Sequence, residues 1–309
     1  MKKCKKHTAG AVFLAAAMAF GSPGVSALAE TNGQPPVVTI NEDEVPLSAR
    51  VPSASGAVTF SGGGVTIDAS NTSNGYLMVK YSGGNKRIKV QITKGTTYTY
   101  DLNARDAFEV YPFTEGNGTY SVKVFENVSG NQYAQLLSQT VSVSLSDEFA
   151  PFLYPNQYVN FNSGSAAVGV AAQLAAGKDP LGVVDAVYKY VIANVSYDYG
   201  KAQSVQSGYL PNVDSTLASH TGICFDYAAL MTAMLRSQDI PTKLVIGYTG
   251  NLYHAWVSVY IAGEGWIDNI IHFDGHKWSY MDPTFMSTGG EGAKQYVGTG
   301  SNYQEKYSY

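Results

Sequence analysis

Hydrophobic periodicity changes once along these 309 residues, close to Ala150-Pro151, and that change requires two architectures in one chain. From Ala57 to about Ser146, apolar residues recur at every second position in short runs. Val58 to Phe60, Val65 to Ile67, Tyr76 to Tyr81, Arg87 to Ile92, Thr97 to Tyr100, Ala107 to Tyr111, Tyr120 to Phe125 and Thr140 to Leu145 follow this pattern. Gly62-Gly63-Gly64, Ser82-Gly83-Gly84-Asn85, Gly116-Asn117-Gly118 and Ser129-Gly130-Asn131 separate runs with turn chemistry. Seven or eight short strands at this spacing predict an antiparallel β-sandwich. It is immunoglobulin-like only loosely, because no Cys pair or Trp marks it.

Beyond Pro151 the period becomes helical. Ser165 to Ala176 is Ala-rich and ends at Gly177. Asp179-Pro180 supplies an N-cap and a first-turn Pro for Leu181, Val184, Val187, Tyr188, Val191 and Ile192, which recur at helical spacing. Asn194 to Leu210 reads as loop. Phe225 to Arg236 reads as a third helix, stopped by Asp239-Ile240-Pro241. Lys243 to Tyr248, His254 to Tyr260 and His276 to Tyr280 read as strands. Helices first and strands after predict an α+β fold with an antiparallel sheet. The Gly-, Ser- and Tyr-rich tail from Ser287 carries no period that assigns it.

The first 29 residues have the build of a secretory leader. Lys2, Lys3, Lys5 and Lys6 precede an apolar run over Ala11 to Phe20, and Ala27-Leu28-Ala29 is an A-x-A cleavage site. That run is too short for a stable membrane span. Glu30 to about Ser55 is polar and Pro-containing and reads as an arm. With the leader removed, Cys4 and four Lys are gone, leaving 16 basic residues against 24 acidic ones. The acidic balance argues against nucleic acid or an anionic membrane as partner, because both need basic patches. The expected location is therefore extracellular or cell-surface. The 23 Tyr residues have two readings, surfaces that stack on sugars or peptides and β-propensity at half-buried strand positions.

One thiol then remains, Cys224, in Gly222-Ile223-Cys224-Phe225-Asp226-Tyr227, where a Gly-containing turn runs into an apolar helix. A thiol attacks as thiolate, and the first turn of a helix favours negative charge through its unpaired N–H groups. The same N–H groups suit an oxyanion, and Gly222 is expected to let the backbone turn tightly. Against this stands the common fate of a free Cys, packing as a small hydrophobe. His254 follows in Tyr253-His254-Ala255-Trp256, and Asp282 in Met281-Asp282-Pro283-Thr284. Thiol, imidazole and carboxylate in that order can form a nucleophile, its base and the base's orienter. The bland readings are a core His and an ordinary Asp-Pro turn.

Taken together, Gly222-Ile223-Cys224, Ile240-Pro241-Thr242, Val245-Ile246-Gly247-Tyr248, Tyr253-His254-Ala255-Trp256 and Asp282-Pro283-Thr284 resemble the transglutaminase-like superfamily in its bacterial secreted form, over about Val183 to Met286. The resemblance implies a papain-like α+β core, with the Cys on a helix packed on an antiparallel sheet, and a catalytic triad of Cys224, His254 and Asp282. Asp268, downstream of Trp266, competes with Asp282 for the orienting role. The implied chemistry is that of a thiol enzyme acting on peptide or protein amides through a thioester, as cysteine peptidase, amidase or transglutaminase. The bacterial secreted members favour hydrolysis. The expected divisions are a leader over 1–29, an arm over 30–56, a β-sandwich over 57–147 and a transglutaminase-like catalytic domain over 148–309.

No cofactor or metal is expected. His272, Asp274 and His276 share a spacing that suits one strand face, but Asp274-Gly275 is a hairpin-turn signal and further ligands are missing. No acidic loop has calcium-binding spacing. Tyr197, Tyr199 and Tyr209 can wall a cleft or pack a loop, and Asp226 serves the first helical turn. Peptide or protein substrates are the expected partners, with the β-sandwich as a spacer or a module for cell-surface polymers. Two alternatives stay open: a non-catalytic adhesion or scaffold protein on the same fold, and an intramolecular Lys–Asn or Lys–Asp bond in the β region.

Overall fold

The computed structural model describes residues 49–85, 87–268, 272–273, 278–279 and 303–309. The leader, most of the arm, Asp274, His276 and Asp282 lie outside the described residues.

Eight strands build the N-terminal half. β1 (Thr59–Gly62), β2 (Val65–Asp68), β3 (Tyr76–Tyr81) and β6 (Glu109–Pro112) form one antiparallel sheet in the order β1-β2-β3-β6. β4 (Ile88–Thr93), β5 (Thr97–Leu102), β7 (Gly118–Ser129) and β8 (Gln132–Val143) form the other in the order β5-β4-β7-β8. The alternating pattern works as expected. Ile88, Val90 and Ile92 of β4 and Tyr98, Tyr100 and Leu102 of β5 are buried, while their neighbours face outward. β8 begins eight residues before the run read from the sequence, at Gln132. No residue of its first half is fully buried, so pairing with β7, more than burial, makes it a strand.

The C-terminal half mixes helices with a second antiparallel sheet. α1 (Ala166–Ala175) and α2 (Pro180–Asn194) come first, and the Asp179 carboxylate accepts from Gly182 N–H at 2.7 Å as the N-cap. The stretch read as loop is in fact structured. β9 (Ser196–Tyr197) leads to α3 (Tyr199–Ser204), whose cap Asp198 accepts from Lys201 N–H at 2.8 Å. α4 (Val213–Ser219) follows, capped by Asn212 on Ser215 N–H at 2.8 Å. Helices of six and seven residues have too few turns to show a period, so only the capping residues signalled them.

β10 (Thr221–Gly222) then leads into α5 (Cys224–Arg236), which is buried along its whole length. α5 packs on α1, α2 and α4 and on the sheet formed by β13 (Gly265–Ile267), β12 (Leu252–Ile261), β11 (Thr242–Thr249) and β16 (Tyr303–Ser308), in that order. The unassigned tail thus ends in an edge strand antiparallel to β11. β14 (His272–Phe273) and β15 (Trp278–Ser279) pair antiparallel. The strand expected over His276 to Tyr280 is described only at Trp278–Ser279.

Tyrosine joins the two halves. Tyr98 of β5 meets Tyr307 and Tyr309 edge-on at 5.3 and 5.6 Å, and Tyr100 stacks on Tyr158 at 5.8 Å. Tyr158 continues to Tyr309 at 4.4 Å and to Phe225, next to Cys224, at 5.8 Å. Gln157 Nε2 donates to the carbonyl of Asp101 at 3.1 Å and to Glu109 Oε2 at 3.2 Å. Sandwich and α+β region share one buried apolar cluster. Much of the tyrosine is therefore interior, where its rings supply area and edge-to-face contacts. Among the described residues, no helix is long and apolar enough to cross a membrane.

Candidate active site

The site starts from the way α5 begins. Ile223 is the N-cap in extended conformation, and Cys224 is the first helical residue. Asp226 turns back so that Oδ2 accepts from Ile223 N–H at 2.8 Å, satisfying one N–H that the helix itself leaves unpaired. Gly222 is required for a reason other than the tight turn expected. Its φ is not positive, but a Cβ there would lie 2.7 Å from Asp226 Cβ. The glycine lets the carboxylate fold back over the chain.

Cys224 is a free cysteine, 4% exposed. The segment before it is held by the chain leading out of α2. Tyr197 pairs in parallel with Gly222, Ser196 N–H donates to the carbonyl of His220 at 2.8 Å, and Asp198 N–H donates to that of Gly222 at 2.9 Å. Tyr197 and Tyr199 meet edge-on at 5.0 Å beside this junction, and Tyr199 is exposed. Tyr209 does not serve as a free wall. Its hydroxyl donates to Asp226 Oδ1, and Lys201 Nζ donates to Asp226 Oδ2 at 2.7 Å. Burial, with the bond to Asp226 and its charge, pushes the Tyr209 hydroxyl far above the ordinary phenol range, so it remains a donor.

His254 is the third residue of β12, opposite Gly247 in β11, and buried. Its ring lies parallel to Trp256 at 6.4 Å. Adjacent Tyr253 packs edge-on with Tyr248 at 5.3 Å. Burial first, then Tyr307, Tyr248 and Cys224, push the Tyr253 hydroxyl up to about 12. α5 packs on β12, the strand that carries His254. Asp268 follows β13 directly and is exposed. Asp282 lies outside the described residues. Among the described residues, no group of three His, Cys, Asp or Glu is placed to hold a metal ion.

The contribution that sequence reading missed is that of Lys201. It lies 23 positions before Cys224 on a helix too short to be recognised, and only the Asp198 cap marked that helix.

Residues 168–283 match the family model of the transglutaminase-like superfamily. A UPF0252 protein of Methanocaldococcus jannaschii is 35% identical over 97 residues, covering 28% of each chain. An uncharacterized protein of Mycobacterium leprae is 30% identical over 168 residues, covering 53% of this chain and 55% of that one. The chain thus spans roughly a quarter and roughly half the length of these curated relatives. A candidate cysteine protease from Cytophaga hutchinsonii is a structural neighbour with TM-score 0.36 and 15% identity, covering 76% of this chain and 83% of its own. Red sea bream transglutaminase is another, with TM-score 0.29 and 12% identity, over 68% and 48%.

Proposed function

We propose, from the match of residues 168–283 to the model of the transglutaminase-like superfamily, that this chain is a secreted thiol enzyme that opens peptide or protein amide bonds through a thioester on Cys224. His254 takes the proton of the Cys224 thiol, the thiolate adds to the amide carbonyl, and the charge that develops on oxygen is met by N–H groups at the start of α5. The C–N bond breaks as His254 gives a proton to the departing amine. Water then attacks the thioester with His254 as base, releasing the acid and restoring the thiol. A primary amine in place of water gives a new amide by the same steps. Asp282, or Asp268 in its place, holds the far nitrogen of the imidazole. Hydrolysis is the expected branch, and the β-sandwich presents the enzyme to extracellular or cell-surface polymers.

One observation carries this reading: a free thiol at the first position of a buried helix, the end whose N–H groups favour an anion. Catalysis further requires the imidazole within about 3.2 Å of the proton's heavy atom in the complex, or one water away.

The test is incubation with a mixed peptide library, with and without a primary amine, read by mass spectrometry. Cleaved products in wild type, absent from folded Cys224→Ala and His254→Ala but retained in Tyr253→Phe, are the expected result. Amine adducts in place of cleavage would move the assignment to acyl transfer. No product, with ordinary free-thiol alkylation of Cys224, would return the chain to the class of binding or scaffold proteins.

A further inference from the structure

The carboxylate of Asp226 is fully buried two residues from Cys224. Alone, a negative charge at that position opposes a thiolate on the same helical turn. It is not alone. Lys201 Nζ lies 2.7 Å from Oδ2, which also accepts from Ile223 N–H at 2.8 Å, while the Tyr209 hydroxyl donates to Oδ1. Lys201 Nζ also donates to Tyr209 Oη at 2.6 Å and sits over its ring at 4.4 Å. The other carboxylate nearby, Asp198, is turned to Lys201 N–H at the start of α3. Among the described residues, Lys201 supplies the cation that pairs with this carboxylate, and it arrives on an element already bolted to the Cys224 segment by the Asp198 N–H to Gly222 bond.

We infer that Lys201, through Asp226 and Tyr209, is a positioning residue for the Cys224 nucleophile. Its ammonium cancels the buried carboxylate, so that the positive end of α5 acts on the thiol, and it fastens α3 to the first turn of that helix. The inference rests on the thiol-enzyme reading for its catalytic consequence, but not for its structural part. Asp226 has two tasks here. It caps the backbone ahead of the nucleophile, and it offers Lys201 an anchor. Tyr209 keeps its proton and fills the second oxygen, so the carboxylate has donors on both sides and no reason to rotate toward the sulfur.

Two readouts on the full chain test this: the iodoacetamide alkylation rate of Cys224 at pH 6 relative to pH 9, resolved by peptide mass spectrometry, and amide hydrogen exchange across residues 196–209. In folded Lys201→Met the pH 6 to pH 9 ratio falls about tenfold, the scale of one uncompensated neighbouring charge. Exchange across 196–209 rises in the same variant. Lys201→Arg keeps the charge and holds the ratio within about threefold of wild type. A Lys201→Met chain that folds with the wild-type ratio and wild-type exchange overturns the inference. Should Lys201→Met fail to fold, Lys201→Met/Asp226→Asn removes both charges. Recovery of fold and ratio then supports charge compensation, and a ratio still depressed in the folded double variant overturns it. A wild type whose Cys224 behaves as an ordinary thiol sinks the enzyme reading instead; the exchange comparison then still decides whether Lys201 fastens α3 to α5.

Discussion

The guanidinium of Arg236, in the last turn of α5, donates to the carbonyl oxygen of Tyr309 at 2.6 Å across 73 residues of chain. The same side chain donates to Tyr154 O at 2.7 Å and Thr242 O at 2.9 Å. Burial pulls its ionisation down to about 9, which leaves it a cation at neutral pH. A cation also suits the negative end of a helix. One side chain therefore ties the helix that carries Cys224 to the connection from the sandwich, to β11 and to the end of β16.

Arg236→Leu keeps most of the volume but strands three carbonyl groups. The expected loss is about 3–5 kcal/mol, the scale of breaking a buried charged network from one side. Urea unfolding of wild type and variant measures it. A loss below about 1 kcal/mol contradicts the role given to Arg236.

Tyr100 sits in the seam between sandwich and core, and its buried hydroxyl has no hydrogen-bond partner among the described residues. Its ring packs, but its oxygen has been taken from water without a replacement bond. Tyr100→Phe is expected to be neutral or to stabilise by up to about 1–2 kcal/mol. A clear fall in melting temperature is the contrary result.

Gly247 faces two neighbours at once. A Cβ there would lie 2.0 Å from Gln304 O and 2.8 Å from Trp256 Cη2. Gly247→Ala must displace β16 or Trp256, at a cost of about 1–3 kcal/mol. Faster amide exchange across Tyr303–Ser308 is the expected signature, and unchanged exchange there counts against it.

Asp68 carries an acid-sensitive contribution. Burial pushes its carboxyl up, but bonds from the Ser70 side chain, Ser70 N–H and Gly56 N–H outweigh this and hold it below the usual carboxylate range. A depressed carboxyl stabilises the fold above its unfolded pKa and loses that contribution as pH falls through the folded value. Asp68→Asn is thus expected to cost about 1–3 kcal/mol at pH 6 and progressively less below about pH 4. Urea midpoints at pH 6 and pH 2.5 measure the difference, and an equal cost at both pH values contradicts the assignment.

Legibility in the sequence followed the range of the interaction. β4 and β5 were visible because alternation is set by which face each residue buries, as with Val90 and Tyr100. α2 was visible because Asp179-Pro180 and its apolar stripe act within a few turns. α3 was invisible because it makes less than two turns and is held by Lys201 reaching Asp226, a contact 25 positions away. β16 was invisible because it is a polar edge strand defined by its partner β11.

The candidate site divides in the same way. The residues Cys224, Asp226 and His254 and the cap ahead of α5 follow from local sequence, since the geometry at a helix start extends only a few residues. What stands around the helix start was decided by tertiary structure: Lys201 and Tyr209 on Asp226, and Arg236 joining α5 to β16. Burial removes water from these groups and makes each buried charge seek a partner wherever the fold brings one. No local pattern records that choice.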